Sequence, residues 1–340
     1  MRILVTGAQG FVGRYYAAHA LRQDASTVVM GVGRSEREDG AFTHRIRSGI
    51  STIPAPLPAE LLSAFADARY SYKSIDLRDE GAMVDALREF EPDAVVHMAS
   101  GLRDDDPAHL FGTNVLGAMA FVEAIARGAP RVRIVVLGST GGVYGAISTG
   151  SLPIPESEPC NPIDLYSASK LSSEHATRIV AARTGVPVVW ARLFNLVGPG
   201  QDERHVCGRF ASQAAAIARG VAPRTIEAGN LEATRDFIDV RDVARGIATL
   251  LEAGAPGVAY NVASGIETRI GEILTATLRA ANIERTTDIV RLPPRLEDIP
   301  RHFADVSKMS ALGFVARHAL DDSIRDVVDY YLNDAAAVAG

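Results

Sequence analysis

Lysine is nearly missing from this sequence: of 35 basic residues only Lys73, Lys170 and Lys308 are lysines, and 32 are arginines. Composition bias accounts for the exchange, and it makes a lysine inside a motif harder to obtain by accident. Cysteine is equally scarce. Cys160 and Cys207 cannot make a disulfide framework or, alone, a zinc site, and they suit a reducing compartment. No His, Cys or carboxylate grouping has metal-ligand spacing, so no metal is expected. Basic charge is in deficit: the net charge is −6 and the pI about 5.8, which leaves no basic field for nucleic acid. No apolar run approaches the roughly 18 residues of a membrane span, so none is expected. A strand-like run begins at Arg2, which leaves no room for a leader peptide, and a cytoplasmic protein is expected.

What is present is a globular composition, 47% apolar and 22% charged over 340 residues, sized for two domains or one large α/β domain with an appended lobe. Short β-rich runs at 3–6, 28–32, 70–75, 94–98, 133–138 and 186–191 alternate with helical patterns at 12–22, 80–89, 109–127 and 168–183. The runs are apolar almost throughout, as strands buried on both faces are. The alternation predicts an α/β fold with a parallel, doubly wound sheet and right-handed crossovers. Residues 34–69 read as a long connection with Pro54, Pro56 and Pro58 and one short helix near 57–66. From about Asn195 the rhythm breaks, at Gly198-Pro199-Gly200 and Pro293-Pro294, as expected for a smaller lobe at the C-terminal edge of the sheet. The helical pattern at 240–251 is expected to return to the main domain.

Thr6-Gly7-Ala8-Gln9-Gly10-Phe11-Val12-Gly13 sets three glycines three apart between the first strand and the first helix. Gly7 permits a tight turn, Gly10 lets backbone approach a pyrophosphate, and Gly13 allows close helix–strand packing. Gln9, Phe11 and Val12 complete a loop whose helix N-terminus faces the anion. The implied ligand is a dinucleotide. NAD sites usually carry an acid after the second strand; this chain has Gly31-Val32-Gly33-Arg34-Ser35. Arg34 and Ser35 suit a 2′-phosphate, with Arg14 and Arg37 as helpers, so NADP is expected, with NAD as the alternative. An ordinary exposed loop arginine is the plainer reading of Arg34. Asp76 and Leu77 stand where the adenine would be met, although Asp76 serves equally well as a helix cap.

Tyr166-Ser167-Ala168-Ser169-Lys170 puts a phenol and an ammonium on one helix face. A positive charge there favours phenolate, which lets a phenol of reference pKa about 10 trade protons with a carbonyl or hydroxyl. Ser139 and Thr140 both follow the fifth strand, and either hydroxyl can hydrogen-bond the reacting oxygen. His97, at a strand end, reads best as a core histidine. Arg103 with Asp104–Asp106 either touches substrate or opens a helix before Pro107.

On these residues the chain resembles the extended short-chain dehydrogenase/reductases, the NAD(P)-dependent nucleotide-sugar epimerase/dehydratase family, over nearly its whole length. Further motifs carry the resemblance: Val96-His97-Met98-Ala99-Ser100, Asn114-Val115-Leu116-Gly117, Glu156 with Pro159 and Pro162 ahead of Tyr166, the run from Arg192 to Gly200, and the run from Arg235 to Val243. It implies a Rossmann-type domain for NADP at 1–194, with 236–254 returning to it, and a smaller α/β substrate-binding lobe at 195–235 and 255–340. It adds Met98, Ala99, Ser100, Asn114 and Leu193, along with Tyr166 and Lys170, to the cofactor site. It favours Thr140 over Ser139 as the catalytic partner of Tyr166 and Lys170. It gives Asn195, Arg235 and Arg295, along with Thr140, to a nucleotide-diphosphate sugar, and it implies a homodimer formed through helices at about 109–127 and 167–184.

The later motifs most resemble those of the GDP-6-deoxy-4-keto-mannose reductases: Asn230 to Phe237, and Arg295-Leu296-Glu297-Asp298-Ile299-Pro300 ahead of Asp305-Val306-Ser307-Lys308. Gly141-Gly142 stand where sugar 4,6-dehydratases carry an acid pair, and loss of water needs an acid and a base, so dehydration is disfavoured. The implied reaction is NADPH-dependent reduction of the C4 keto group of a nucleotide-linked 4-keto-6-deoxy sugar, a GDP-sugar by preference. A nucleotide-sugar 4-epimerase is the alternative. A non-catalytic NADP(H) sensor is less favoured, because such sensors commonly lose the Tyr/Lys pair.

Overall fold

The structure, a computed structural model, describes residues 1–48, 51–293 and 299–333. Its centre is a seven-stranded parallel sheet of β1 (Arg2–Thr6), β2 (Val28–Gly33), β3 (Tyr70–Ser74), β4 (Ala94–His97), β5 (Ile134–Thr140), β6 (Val188–Leu193) and β7 (Ala259–Val262). The strands lie in the order β3-β2-β1-β4-β5-β6-β7, every neighbouring pair parallel. The order reverses between β1 and β4, so the chain leaves their C-terminal ends in opposite directions and opens a crevice there. Five helices cover the sheet: α1 (Phe11–Gln23), α2 (Glu80–Phe90), α3 (Pro107–Gly128), α4 (Leu165–Thr184) and α5 (Val240–Ala253). Successive side chains on a strand point to opposite faces. Ile3 and Val5 accordingly join the core under α1 and α5, and Leu4 joins the core under α2, α3 and α4.

All six strands and four helices expected from the apolar pattern are present. Two elements depart from it. Residues 34–69 contain, besides the short helix Ala59–Phe65, an antiparallel hairpin of Ala41–Ser48 and Ser51–Pro56. Its second strand holds Pro54 and Pro56, which read as breakers in sequence. A two-stranded ribbon has only edge strands, where a residue without an N–H is tolerated. The seventh strand, β7, comes from the stretch given to the smaller lobe. Its four residues are all buried, with Asn261 in register with Arg192, but the polar Asn261 breaks the apolar run that marks the other buried strands.

Helix α3 is long and apolar enough on average to cross a membrane, with mean hydropathy 1.3 over its best window. Thr113 and Asn114 interrupt its apolar run, so no strict run is visible although the average is high. Its buried residues Phe121, Val122 and Ile125 pack in the core it shares with α2 and α4.

The smaller lobe is organised on Thr234–Asp239. That strand pairs in parallel with Asn195–Val197 and Arg301–His302, and antiparallel with Glu267–Arg269. A separate ribbon joins Thr225–Ala228 to Asp288–Arg291. Helix α5 follows Thr234–Asp239 directly and packs on α1.

The two layers are joined by a buried ion pair. Glu174 of α4 meets Arg192 of β6 at 2.7 Å, and both are almost inaccessible to water. Arg192 also donates to the Tyr144 hydroxyl at 3.0 Å, and Ser139 of β5 donates to Glu174 at 2.5 Å. Tyr144 in turn donates to Oδ1 of Asn261 on β7 at 2.6 Å. Removing one member of a buried pair leaves the other charged and unpaired, which costs about 3–5 kcal/mol. Glu174→Ala is expected to lower the unfolding free energy, read from urea titrations, by that much. Glu174→Met with Arg192→Met is expected to recover part of the loss, since the Arg192 charge is then gone while Lys170 still loses the carboxylate that opposes its desolvation.

Candidate active site

The glycine motif forms a cradle that side chains would fill. Gly7 has φ +64°, and a Cβ there would lie 2.6 Å from the Ala99 nitrogen. At Gly13 a Cβ would lie 2.2 Å from the Gly7 carbonyl oxygen, and at Gly10 it would lie 3.2 Å from the same atom. Backbone therefore packs on backbone where β1 meets α1, and α1 begins at Gly10 with no side-chain cap on its N–H groups. Bare N–H groups at a helix start behind a tight glycine turn fit a dinucleotide pyrophosphate. Val12 is half-buried beside the cradle, and Phe11 packs its ring on Tyr15 at 5.5 Å and on Phe42 at 5.9 Å. Met98, Ala99 and Ser100 form the facing wall after β4, with the Met98 nitrogen donating to the Thr6 carbonyl at 3.1 Å. Leu193 is half-buried at the end of β6.

The residues expected around a 2′-phosphate separate into two sets. Arg14 is buried under the loop after β2. It donates to the Ala41 carbonyl at 2.9 Å and to the Glu38 carbonyl, and its guanidinium lies 4.3 Å from the centre of the Phe65 ring. Gln9 braces the same loop, donating to the Glu36 carbonyl at 2.8 Å and accepting from the Glu38 nitrogen at 2.6 Å. Arg37 pairs with Asp39 at 2.8 Å. Arg14 is thus a structural brace rather than a phosphate helper. Its position four residues after Gly10 puts it on the buried side of α1. Arg34 and Ser35 are exposed at the end of β2, with Arg34 Nη1 3.4 Å from His109 Nε2 and the Ser35 carbonyl accepting from Tyr72. Asp76 holds Arg78 through both carboxylate oxygens, and that contact brings its carboxyl down to about 2. Leu77 is buried beside it.

Two of the residues expected to carry the proton chemistry lie on α4. Tyr166 is half-buried in the first turn of α4. Burial raises its phenol above the usual range, while the Ser100 hydroxyl and the Arg103 guanidinium pull it back down. Lys170, one turn further along, is 6% exposed. Burial lowers its ammonium to about 8, and Glu174 opposes that shift. The cation that acts most on the phenol is therefore Arg103. Its guanidinium carbon lies 5.8 Å from the Tyr166 ring centre, and its Nη1 lies 3.3 Å from Asp164. The sequence left the direction of Arg103 open; the structure turns it toward Tyr166.

The two hydroxyls at the end of β5 take different places. Ser139 turns into the core and donates to Glu174. Thr140 is half-buried, and its hydroxyl accepts from the Gly142 nitrogen at 3.1 Å. Asn114 sits in a π-helical stretch of α3, Gly112–Gly117. Such bulges recur at functional sites. Its side chain accepts from the Gly101 nitrogen at 2.7 Å and from Ser100 at 3.0 Å, and donates to Ser169 at 2.9 Å. One amide therefore ties the loop after β4 to the helix of Tyr166. His97 is a core histidine: its Nδ1 lies 2.7 Å from the Thr6 hydroxyl, its ring stacks on Phe121, and burial lowers it to about 3.

On the lobe side, the Asn195 amide donates to the Asp236 carbonyl at 3.0 Å. Arg235 donates to the Thr234 and Ile299 carbonyls, each at 2.7 Å. These two predicted residues lie on neighbouring strands of one small sheet. Arg295 lies outside the described residues. His302 was not singled out in the sequence. It is buried beside Phe194 at 5.3 Å between ring centres, in register with Arg235, and burial lowers it to about 4. Only pairing of strands far apart in the chain brings it there. Among the described residues no group of three His, Cys, Asp or Glu side chains is placed to hold a metal ion.

A hydroxyl at a strand end, a phenol and a buried ammonium beside a dinucleotide cradle can exchange a proton with an oxygen at a carbon that gains or loses hydride. The lysine makes this site costly for the fold. With a pKa of about 8 in the fold against 10.5 for a free side chain, its proton is held at a penalty below pH 8. Between those values the unfolded chain binds more protons, so stability rises with pH until the penalty is gone. Lys170→Met is expected to be more stable than the parent at pH 7, on the order of 2–3 kcal/mol. That advantage is expected to shrink from pH 8 to about 10.5, which urea midpoints at the two ends will show, while turnover is lost.

The sequence profile described as the NAD dependent epimerase/dehydratase family matches residues 3–263. A GDP-6-deoxy-D-mannose reductase from Pseudomonas aeruginosa is 34% identical over 300 residues, covering 87% of this chain and 84% of the relative. The solved structure of RMD from Pseudomonas aeruginosa complexed with NADPH has a TM-score of 0.79 at 27% identity, covering 98% of this chain and 99% of its own. A Thermus thermophilus UDP-glucose 4-epimerase in complex with NAD also has a TM-score of 0.79 at 27% identity, with the same coverage. The glycine cradle, the Tyr166/Lys170 pair and these matches lead to one conclusion: the chain belongs to the NAD dependent epimerase/dehydratase family, enzymes of the oxidoreductase type.

Proposed function

We propose that this protein reduces the C4 keto group of a nucleotide-linked 4-keto-6-deoxy sugar with NADPH, a GDP-sugar by preference. The observation that carries the reading is the pairing of Thr140 and Tyr166 with glycines, Gly141 and Gly142, directly after Thr140. A proton relay is present, and the position next to Thr140 offers no carboxylate for eliminating water. The 34% identity to a GDP-6-deoxy-D-mannose reductase supports the sugar class. Gly7, Gly10 and Gly13 would hold the pyrophosphate of the dinucleotide, and Arg34 with Ser35 its 2′-phosphate. Hydride is what the bound dinucleotide supplies.

In this reading Thr140 donates a hydrogen bond to the C4 oxygen and fixes the carbonyl. Tyr166 gives its phenolic proton to that oxygen as it becomes an alkoxide, and recovers it from water. Lys170 keeps positive charge beside the phenol and holds the nicotinamide ribose. Asn195, Arg235 and Arg295 grip the diphosphate, which decides the face of C4 that is presented. In the same reading residues 1–194 with 236–254 bind the dinucleotide, and 195–235 with 255–340 bind the sugar nucleotide, with β7 serving the sheet. A homodimer through α3 and α4 belongs to the same proposal, because Leu116 is 65% and Ile179 69% exposed on those helices. So does a cytoplasmic location, which the two free thiols suit.

A 4-epimerase is the second reading, favoured by the equal structural similarity to the NAD-bound UDP-glucose 4-epimerase. An NADPH-oxidation assay against a panel of nucleotide 4-keto-6-deoxy sugars separates the two. Stoichiometric consumption of NADPH with these keto sugars is expected; no consumption with them, together with C4 inversion of the corresponding 4-hydroxy nucleotide sugars, would favour the epimerase. Tyr166→Phe is expected to lower kcat by about 10²–10⁴, and near-normal turnover would remove Tyr166 from its role. Arg34→Ala is expected to raise KM for NADPH about tenfold while leaving KM for NADH little changed, because it removes a charge-assisted contact to the 2′-phosphate alone.

A further inference from the structure

We propose that Arg103 is a positioning residue for the proton transfer: anchored by Asp164, it holds a permanent positive charge against the face of Tyr166 from the loop after β4. The proposal rests on the reading in which Tyr166 is the proton donor.

Three features fix the arrangement. Asp164 caps the start of α4, accepting from the Ser167 nitrogen at 2.8 Å and the Ser167 hydroxyl at 3.0 Å. The same carboxylate meets Arg103 Nη1 at 3.3 Å. One side chain therefore sets both the turn that presents Tyr166 and the cation that faces it. The loop carrying Arg103 is tied at both ends. Gly101 donates to Asn114 at 2.7 Å, Leu102 donates to Asp105 at 2.7 Å, and Asp106 caps α3 by accepting from the His109 nitrogen at 3.0 Å. The guanidinium then lies 5.8 Å from the centre of the phenol ring. A cation at that distance interacts with the ring face, and it interacts more strongly once the ring carries the phenolate charge.

The groups around Tyr166 can be named from each element. Lys170 lies one turn along its own helix, Asp164 at the start of that helix, and Ser100 and Arg103 in the loop after β4. Arg103 and Asp104 of that loop both act on His205, Arg103 lowering it and Asp104 raising it. Burial raises the phenol, Ser100 and Arg103 lower it, and Asp164 adds to the rise. Lys170 itself approaches neutrality near pH 8. An arginine does not lose its charge in that range. Arg103 is therefore the cation whose pull on the Tyr166 phenol persists where the charge of Lys170 fades. It is 65% exposed, so its effect is screened by salt.

The test reads Tyr166 directly. The protein is labelled with tyrosine carrying ¹³C at Cζ, and the Tyr166 resonance is assigned by its absence in Tyr166→Phe. It is then titrated without substrate in the parent, Arg103→Gln and Arg103→Lys. Arg103→Gln is expected to move the titration of Tyr166 to higher pH, and Arg103→Lys to return most of it. At neutral pH Arg103→Gln is expected to lower kcat about threefold with KM for the sugar nucleotide unchanged. An unmoved titration in Arg103→Gln overturns the proposal, whether or not KM changes, and a KM change alone would make Arg103 a substrate contact. Failure of Arg103→Lys to restore the titration overturns it as well, because the role would then not be one of charge. If the titration moves as expected and no sugar in the panel is reduced, the reductase reading fails and the role of Arg103 toward Tyr166 stands.

Discussion

Four elements of the main domain and the strand that closes its sheet meet at one buried ion pair. Glu174 lies one turn beyond Lys170 on α4, Arg192 is on β6, Ser139 is on β5 immediately before Thr140, and Tyr144 links Arg192 to Asn261 on β7. Charges so deeply buried are tolerable only when every lone pair and proton has a partner, and here the carboxylate accepts from both Arg192 and Ser139. The network therefore admits one arrangement of helix against sheet. That arrangement sets the height of Lys170 and Tyr166 relative to Thr140.

The cofactor side depends on a different constraint, the absence of side chains. The close approaches at Gly7 and Gly13 are backbone to backbone, so the β1–α1 turn sits against the end of β4 at a distance no Cβ allows. Gln9 and Arg14 then fill the far side of that turn and fasten the loop after β2. Arg34 is left exposed at the mouth, where the second anionic group of a dinucleotide would lie. Charge in this molecule works by placement. In a chain of net charge −6, Arg34 stays exposed at the end of β2 while Arg14 and Arg37 are held within the loop that follows it.

Proton chemistry asks for opposite things from burial. Desolvation lowers Lys170 and raises Tyr166, so each is moved away from its charged form. Glu174 supports the ammonium from below, and Arg103 and Ser100 support the phenolate from the side. The site is built from elements that are rigid for separate reasons: α4 through its Asp164 cap, the loop after β4 through Asn114, and the end of β5 through Ser139.

The apolar runs of the strands, the glycine spacing at 7, 10 and 13 and the Tyr166–Lys170 spacing determined the sheet, the cradle and the helix that carries Tyr166, because each depends on neighbours within one or two turns of chain. The proline-bearing hairpin at 41–56 escaped that logic, since only an edge position makes Pro54 and Pro56 compatible with a strand. β7 escaped it too, since Asn261 interrupts its apolar run. Direction was the other thing left open. Ser139 and Thr140 are equivalent in sequence, and strand alternation sends one to Glu174 and the other toward the site. Arg14 and Arg103 are both arginines near a loop. Helix rotation buries the first under the cradle, and the Asp164 carboxylate turns the second onto Tyr166. His302 reaches the site only because a strand from the far end of the chain pairs beside Arg235. Local spacing determined which groups exist, and long-range packing decided which of them face one another.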